Sequence, residues 1–82
     1  MNNTEIAVRV YSEEESIYLQ KYLFSIGCRW RHSGVKIVET RRPIIVINNK
    51  TLTCAHTVDS ILLYKNRYTF KEFMVRECFN TL

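Results

Sequence analysis

The chain has 82 residues, of which 46% are hydrophobic and 24% charged, and its formal net charge is +4. This length supplies one hydrophobic core, so we expect a single domain over residues 1–82, and the composition excludes an intrinsically disordered chain. No apolar run approaches the roughly 18 residues that cross a bilayer, and the start of the chain lacks a signal-peptide pattern. We therefore expect a cytoplasmic protein without membrane contact.

The first predicted element is a strand, because apolar residues alternate from Thr4 to Tyr11. Ser12 begins a helix, since Glu15 follows it at the spacing of a capping box. Gly27 ends this helix, as glycine adopts the left-handed conformation at little cost.

One stripe of this helix is predicted to face the core. Its members are Leu19, Tyr22, Leu23 and Ile26. Ile17 and Phe24 lie on another face, where either the C-terminal segment covers them or they remain exposed to a partner.

Two hairpins are predicted after the helix. The first joins residues 28–32 to residues 35–40 through a Ser-Gly turn, with Trp30 as a core anchor. Pro43 interrupts the ladder, because proline lacks the donor that a central strand needs. The second hairpin joins a buried strand at residues 44–47 to residues 51–54 through an Asn-Asn-Lys turn.

The last third of the chain predicts helices. Residues 56–66 indicate a short helix, although the apolar run from Ile61 to Tyr64 also fits a strand. Thr69 and Glu72 form a second capping box, with Tyr68 and Phe73 placed as a hydrophobic staple. The expected fold is α+β, in the order β-α-β-β-β-β-(α)-α, with an antiparallel sheet and helices packed on one of its faces.

The cysteines Cys28, Cys54 and Cys78 are expected to be reduced, because their odd number fits no disulfide framework. The residues that most resemble a set of zinc ligands are Cys28, His32, Cys54 and His56. Cys28 and His32 would lie about 13 Å apart on an extended strand, too far to share an ion. We therefore predict no metal and no cofactor.

Catalysis is not expected either. A cysteine and a histidine can meet in space as a nucleophile pair, but no cysteine here follows a nucleophile-type turn. With two glycines, the chain also has no phosphate-binding loop of the Walker type. We therefore predict a protein that acts by binding.

The candidate binding residues are mostly arginines of the first half. Arg29 and Arg31 would share one face of the first hairpin, and Arg9 and Tyr11 would join them if their strands were neighbours. The full set is Arg9, Tyr11, Arg29, Arg31, Arg41 and Arg42. Arginine suits carboxylates, phosphates and stacked bases, so three interpretations remain open: an acidic protein surface, nucleic acid, or a solvated polar face.

Several stretches together resemble small early or accessory proteins of tailed bacteriophages. They are Ser-Glu-Glu-Glu at residue 12, Gly-Cys-Arg-Trp at residue 27, Ile-Val-Ile at residue 45 and Tyr-Thr-Phe-Lys-Glu-Phe at residue 68. Gly27, Trp30, Glu72 and Phe73 match as fold-defining positions, whereas the arginines are not part of that pattern.

The resemblance implies a stoichiometric inhibitor or modulator of a host bacterial protein, such as an immune effector, a toxin or a nuclease, acting in the host cytoplasm. The alternative function is a small basic nucleic-acid-binding protein. A homodimer formed by strand pairing at an open sheet edge is compatible with both.

Overall fold

The computed structural model describes the backbone of residues 5–80 and the side chains of residues 5–77. Its strands are β1 (Glu5–Arg9), β2 (Arg29–Trp30), β3 (Ile44–Asn48), β4 (Thr51–Ala55) and β5 (Asn66–Thr69). Its helices are α1 (Glu13–Ser25), a 3-10 helix (Val58–Leu63) and α2 (Phe70–Asn80). The expected α+β class is confirmed, while the predicted strand start at Thr4 and the side chain of Cys78 lie outside the described residues.

The sheet is mixed, with the strand order β2-β4-β3-β1-β5. β3 pairs antiparallel with β1 and β4, whereas β1 pairs parallel with β5 and β2 pairs parallel with β4. The prediction of a purely antiparallel sheet was wrong. Both outer strands reach the sheet through long connections and not through hairpins, which allows them to run parallel to their neighbours.

The first predicted hairpin does not form. The Ser-Gly turn does close, with Trp30 N–H donating to Gly34 O at 2.8 Å and Gly34 N–H donating back at 3.1 Å. The chain then leaves the sheet, and residues 35–40 contain no strand. The backbone of Val38 instead bonds to a side chain of α1, so β2 is free to pair with β4.

The second hairpin is confirmed. Asn49 and Lys50 have φ values of 52° and 67°, and they connect the paired residues Asn48 and Thr51. A two-residue loop with positive φ at both positions has the twist that an antiparallel pair requires. β3 is the middle strand and is buried on both faces, as its apolar run predicts.

Both α-helices pack on one face of the sheet. Their apolar residues enclose Val8, Val10, Trp30, Ile45, Ile47 and Leu52. Trp30 is only 5% exposed, which confirms it as a core anchor. α1 and α2 also meet directly, since Tyr22 Oη donates to Glu77 Oε1 at 2.8 Å.

The predicted core stripe of α1 was partly wrong. Leu19 and Leu23 are buried and Tyr22 packs against the core, but Ile26 follows the end of the helix and is 42% exposed. Ser16 and Gln20 are buried in its place. Of the two apolar residues on the neighbouring face, Ile17 is half-buried. Phe24 packs against the core.

Gln20 is buried because every hydrogen-bonding position of its amide is occupied. Its Nε2 donates to Val38 O at 2.7 Å and to Ser16 Oγ at 3.1 Å. Its Oε1 accepts from Trp30 Nε1 at 2.9 Å and from Val38 N at 3.1 Å. Gln20 thus bonds to the backbone N–H and C=O of Val38 as a neighbouring strand would. It connects α1, β2 and the segment at residues 35–40.

The opposite face of the sheet is smaller and is covered by the 3-10 helix. Ala7, Ile44 and Val46 are buried there beneath Ile61 and Tyr64. The short helix predicted for residues 56–66 is therefore present as a 3-10 helix, and the strand interpretation of Ile61–Tyr64 is wrong. β5, which follows it, was not predicted, because its pairing with β1 is distant in sequence.

Capping residues fix where both α-helices begin. Thr69 Oγ1 accepts from Glu72 N at 3.1 Å while Thr69 N–H donates to Glu72 Oε1 at 2.9 Å, so the predicted box is complete. Ser12 Oγ accepts from Glu15 N at 3.1 Å, as the predicted box requires. The Glu15 carboxylate, however, accepts from the N–H of Tyr11, one residue before the Ser12 N–H that a complete box would use. No helix within residues 5–80 is long and apolar enough to cross a membrane.

Candidate binding surface

The structure divides the predicted site residues into two groups. Arg9, Tyr11, Arg41 and Arg42 line one groove of about 270 Å³, which we call the arginine groove. Arg29 lies on β2, three strands away from β1, a distance of at least about 14 Å across the sheet. Arg31 lines a separate groove with His32 and Cys54. The predicted single face therefore does not form, because β1 and β2 are not neighbours.

Arg9 and Tyr11 form a fixed pair at the end of β1. The Arg9 guanidinium lies 4.3 Å from the centre of the Tyr11 ring. Its Nη1 donates to Val10 O and to Pro43 O, the latter at 3.5 Å. Tyr11 is 61% exposed although its neighbour Val10 is buried. The pair thus presents an ordered cation and an aromatic ring to solvent.

The other two arginines of the groove pair with carboxylates. Arg41 Nε lies 3.3 Å from Glu13 Oε2, and Arg42 Nε lies 3.2 Å from Glu39 Oε1. The Arg41 side chain is 89% exposed, so its ion pair contributes at most about 1 kcal/mol and is easily exchanged for another anion. Carboxylates beside the arginines also give the groove a mixed charge.

A second groove continues the first. It has a volume of about 310 Å³ and shares Arg9 and Tyr11 with the arginine groove, adding Val58, Ile61 and Arg67. We call it the middle groove. Of the two residues of the 3-10 helix that line this groove, Val58 is 47% exposed and Ile61 is half-buried. Cationic and apolar surface are therefore adjacent here.

A third groove lies between β5 and α2. It has a volume of about 610 Å³ and is lined by Arg67, Tyr68, Lys71, Glu72, Val75 and Arg76. We call it the edge groove, because β5 is the outer strand of the sheet. The Arg76 guanidinium lies 5.1 Å from the centre of the Tyr68 ring and its Nη1 bonds to the Tyr68 hydroxyl.

The three grooves form one surface, which we call the basic belt. Its basic residues are Arg9, Arg41, Arg42, Arg67, Lys71 and Arg76. They are half of the twelve lysines and arginines of the chain, so the positive charge is concentrated on one connected surface. Arg67, Lys71 and Arg76 were not among the predicted binding residues, since only the pairing of β5 with β1 brings Arg67 into the groove of Arg9 and so connects the edge groove to it.

The sequence offers Tyr11, Phe24 or Tyr18 as an aromatic anchor for a partner, and these residues differ in accessibility. Tyr18 is as exposed as Tyr11, at 61%, whereas Phe24 is packed against the core. Tyr18 lines a groove between the two α-helices together with Glu14, Phe70 and Met74. That groove contains no basic residue and meets the arginine groove only at Ser12.

Cys28 and Cys54 are free thiols in the structure. Burial raises the pKa of the Cys28 thiol, which Lys50 opposes and Glu77 reinforces. Burial likewise raises the pKa of Cys54. Both thiols are therefore protonated at neutral pH, which disfavours them as nucleophiles. Among the described residues, no group of three His, Cys, Asp or Glu side chains could hold a metal ion.

Comparisons with known proteins add no relative to these observations. No protein-family model matches the chain, and no curated protein or solved structure matches it significantly.

Proposed function

We propose that this domain acts without catalysis, by binding a host bacterial protein and inhibiting or modulating it. The proposal follows the resemblance to small early or accessory proteins of tailed bacteriophages, and the expected place of action is the host cytoplasm. The observation that carries it is the Arg9–Tyr11 pair, which lies beside the exposed Val58 of the 3-10 helix.

The chemistry of this surface suits a protein partner. Arginine and tyrosine are enriched among residues that dominate the binding energy of protein interfaces. Arg9 already lies over the Tyr11 ring in the free protein, which lowers the side-chain entropy lost on binding. The exposed Val58 supplies apolar area in the same groove, which a partner can bury next to the cation.

A protein capture experiment tests the proposal. The purified domain is used to bind proteins from bacterial lysate at physiological salt, with and without nuclease. We expect one stoichiometric, nuclease-resistant partner, whose capture is lost on Arg9→Ala together with Tyr11→Ala. Lys36→Ala, at an exposed residue outside the basic belt, is the matched control and should leave capture unchanged.

The second candidate function is nucleic-acid binding. The concentration of six basic residues on the basic belt favours it, and Tyr11 and Tyr68 could stack on bases. It predicts binding to a random oligonucleotide that weakens linearly with salt on logarithmic axes, with a slope near −0.7 per neutralised phosphate of a single strand. Nuclease-sensitive capture of many proteins, with such a slope, would make this the first candidate.

A further inference from the structure

We propose that the open edge of β5 accepts an extended acidic segment of the partner as an added strand. The inference rests on the proposed function, since it names the part of a protein partner that the edge groove binds. Strand addition supplies affinity through main-chain hydrogen bonds and specificity through pockets for alternate side chains.

The directions of the N–H and C=O groups in β5 indicate that its outer edge has unpaired groups. Thr69 N–H donates to Glu72 Oε1 at 2.9 Å, so it points away from β1. Because peptide groups alternate along a strand, the N–H and C=O of Arg67 point the same way. The parallel pairing of Asn66 and Tyr68 with β1 uses the other set of groups. Arg67 therefore offers a donor and an acceptor at the outer edge.

The side chains beside this edge define the chemistry of the added strand. Lys71 and Arg76 extend from α2 above one face of β5, and Arg67 lies on the other face. Residues of an added strand alternate between these faces, so acidic residues on either face would meet a cation. Val75 is 56% exposed on α2 in the same groove, so it would contact an aliphatic residue that lies two positions along the added strand from an acid, on the same face.

Charge disfavours a second copy of this chain as the occupant. Pairing β5 with β5 around a two-fold axis would place Arg67 near its own copy and bring the Lys71 and Arg76 side chains of both chains together. Like charges opposite each other destabilise a strand pair. An acidic segment meets the same cations with complementary charge, so it is the favoured occupant.

The test is selection from a random dodecapeptide display library on the purified domain at physiological salt. We expect enriched peptides in which aspartate and glutamate predominate and an aliphatic residue stands two positions from an acid. Arg67→Pro removes the outward N–H and should weaken the best peptide at least about tenfold more than Arg67→Ala does, because only proline removes the donor. Arg31→Ala, next to β2 at the other edge of the sheet, is the control and should change affinity less than about twofold.

Two further measurements keep the test decisive if Arg67→Pro fails to fold. The selected peptide should slow hydrogen exchange of the Arg67 amide in the unaltered protein. Lys71→Glu combined with Arg76→Glu should abolish binding of the acidic peptide and create binding of its lysine-substituted version. Enriched peptides without acids, or an Arg67 amide that exchanges at the same rate with peptide bound, would overturn the proposal.

The proposed function and this inference fail in different ways. Loss of partner capture on the Arg9 and Tyr11 changes, with no effect of Arg67→Pro, would retain the binding function and reject strand addition. Nuclease-sensitive capture without acidic peptide enrichment would reject both.

Discussion

At the scale of single residues, Gln20 fixes the position of residues 35–40, which form no strand. A buried amide is costly unless its partners are supplied, and here Trp30, Val38 and Ser16 supply all of them. Gln20 was not among the predicted core residues of α1, because a single residue type does not reveal partners 10 and 18 positions away. Its role follows only from the tertiary structure.

Replacing Gln20 should therefore destabilise the fold strongly. We expect Gln20→Leu to lower the free energy of unfolding by about 2–4 kcal/mol, since it leaves the buried indole N–H and the Val38 backbone without partners. Urea denaturation of Gln20→Leu, Trp30→Phe and the double variant forms a cycle. We expect a coupling energy between the two changes of about 1 kcal/mol or more. In the double variant, Trp30→Phe removes the indole N–H that Gln20→Leu alone leaves without an acceptor. Additive effects would show that the Gln20–Trp30 bond contributes nothing.

The buried thiol of Cys28 should make stability depend on pH in the alkaline range. Its pKa is raised by burial, so the folded state holds the proton more tightly than the unfolded state. Above pH about 8.5 the unfolded chain loses this proton first, and stability should fall as the pH rises. The difference in unfolding free energy between the unaltered protein and Cys28→Ala should decrease from pH 7 to pH 10. A difference that stays constant over this range would contradict the assignment.

At the scale of secondary-structure elements, the capping box couples β5 to α2. Thr69 ends the strand and begins the helix, and its hydrogen bonds to Glu72 satisfy two free amides there. This junction holds the edge groove in shape, because the groove has one wall on each element.

Removing the cap should cost a measurable amount of stability. We expect Thr69→Ala to lower the free energy of unfolding by about 1 kcal/mol, measured in urea. Thr57→Ala is the control, because the Thr57 hydroxyl, although it bonds to Ser60 Oγ at 2.8 Å, makes no bond to the amides of the 3-10 helix that it precedes. A larger loss at Thr57 than at Thr69 would show that the box does not stabilise α2.

Local chemistry predicted the elements whose signals are local. The box at Thr69, the staple between Tyr68 and Phe73 and the turn at Asn49 are short-range patterns, and each is present. The pattern at residues 35–40 failed because alternation states which residues suit a strand but not which neighbour is available. β5 was missed for the same reason, since its neighbour β1 lies about sixty residues earlier.

The candidate surface was predictable to a smaller extent. Arg41 and Arg42 lie next to each other in sequence, and Arg9 reaches them because Val10 N–H donates to Pro43 O at 2.9 Å. Nothing local links Arg9 to Arg67, which joins it through the parallel pairing of β1 with β5. Surfaces assembled from distant segments depend on topology, and sequence periodicity does not specify strand order.

At the scale of the whole molecule, the two outer strands differ in how open they are. β2 has two residues and continues into the turn at Gly34, so it offers little edge. β5 is longer and lies at the other side of the sheet, with Arg67, Lys71 and Arg76 beside it. Charged side chains at a sheet edge oppose pairing between identical chains.

The protein should therefore be a monomer in solution at low ionic strength. Light scattering after size-exclusion chromatography should give a mass near 9.8 kDa at concentrations up to about 100 µM, because like charges repel at the paired β5 edges. In 1 M salt the screening length falls to about 3 Å, so any dimer that uses this edge should appear or strengthen there. Arg67→Ser combined with Lys71→Ser removes two of the charges and should favour the same dimer without added salt. A dimer of the unaltered protein at low salt would show that these charges do not protect the edge, and the acidic strand would lose its advantage over a second copy.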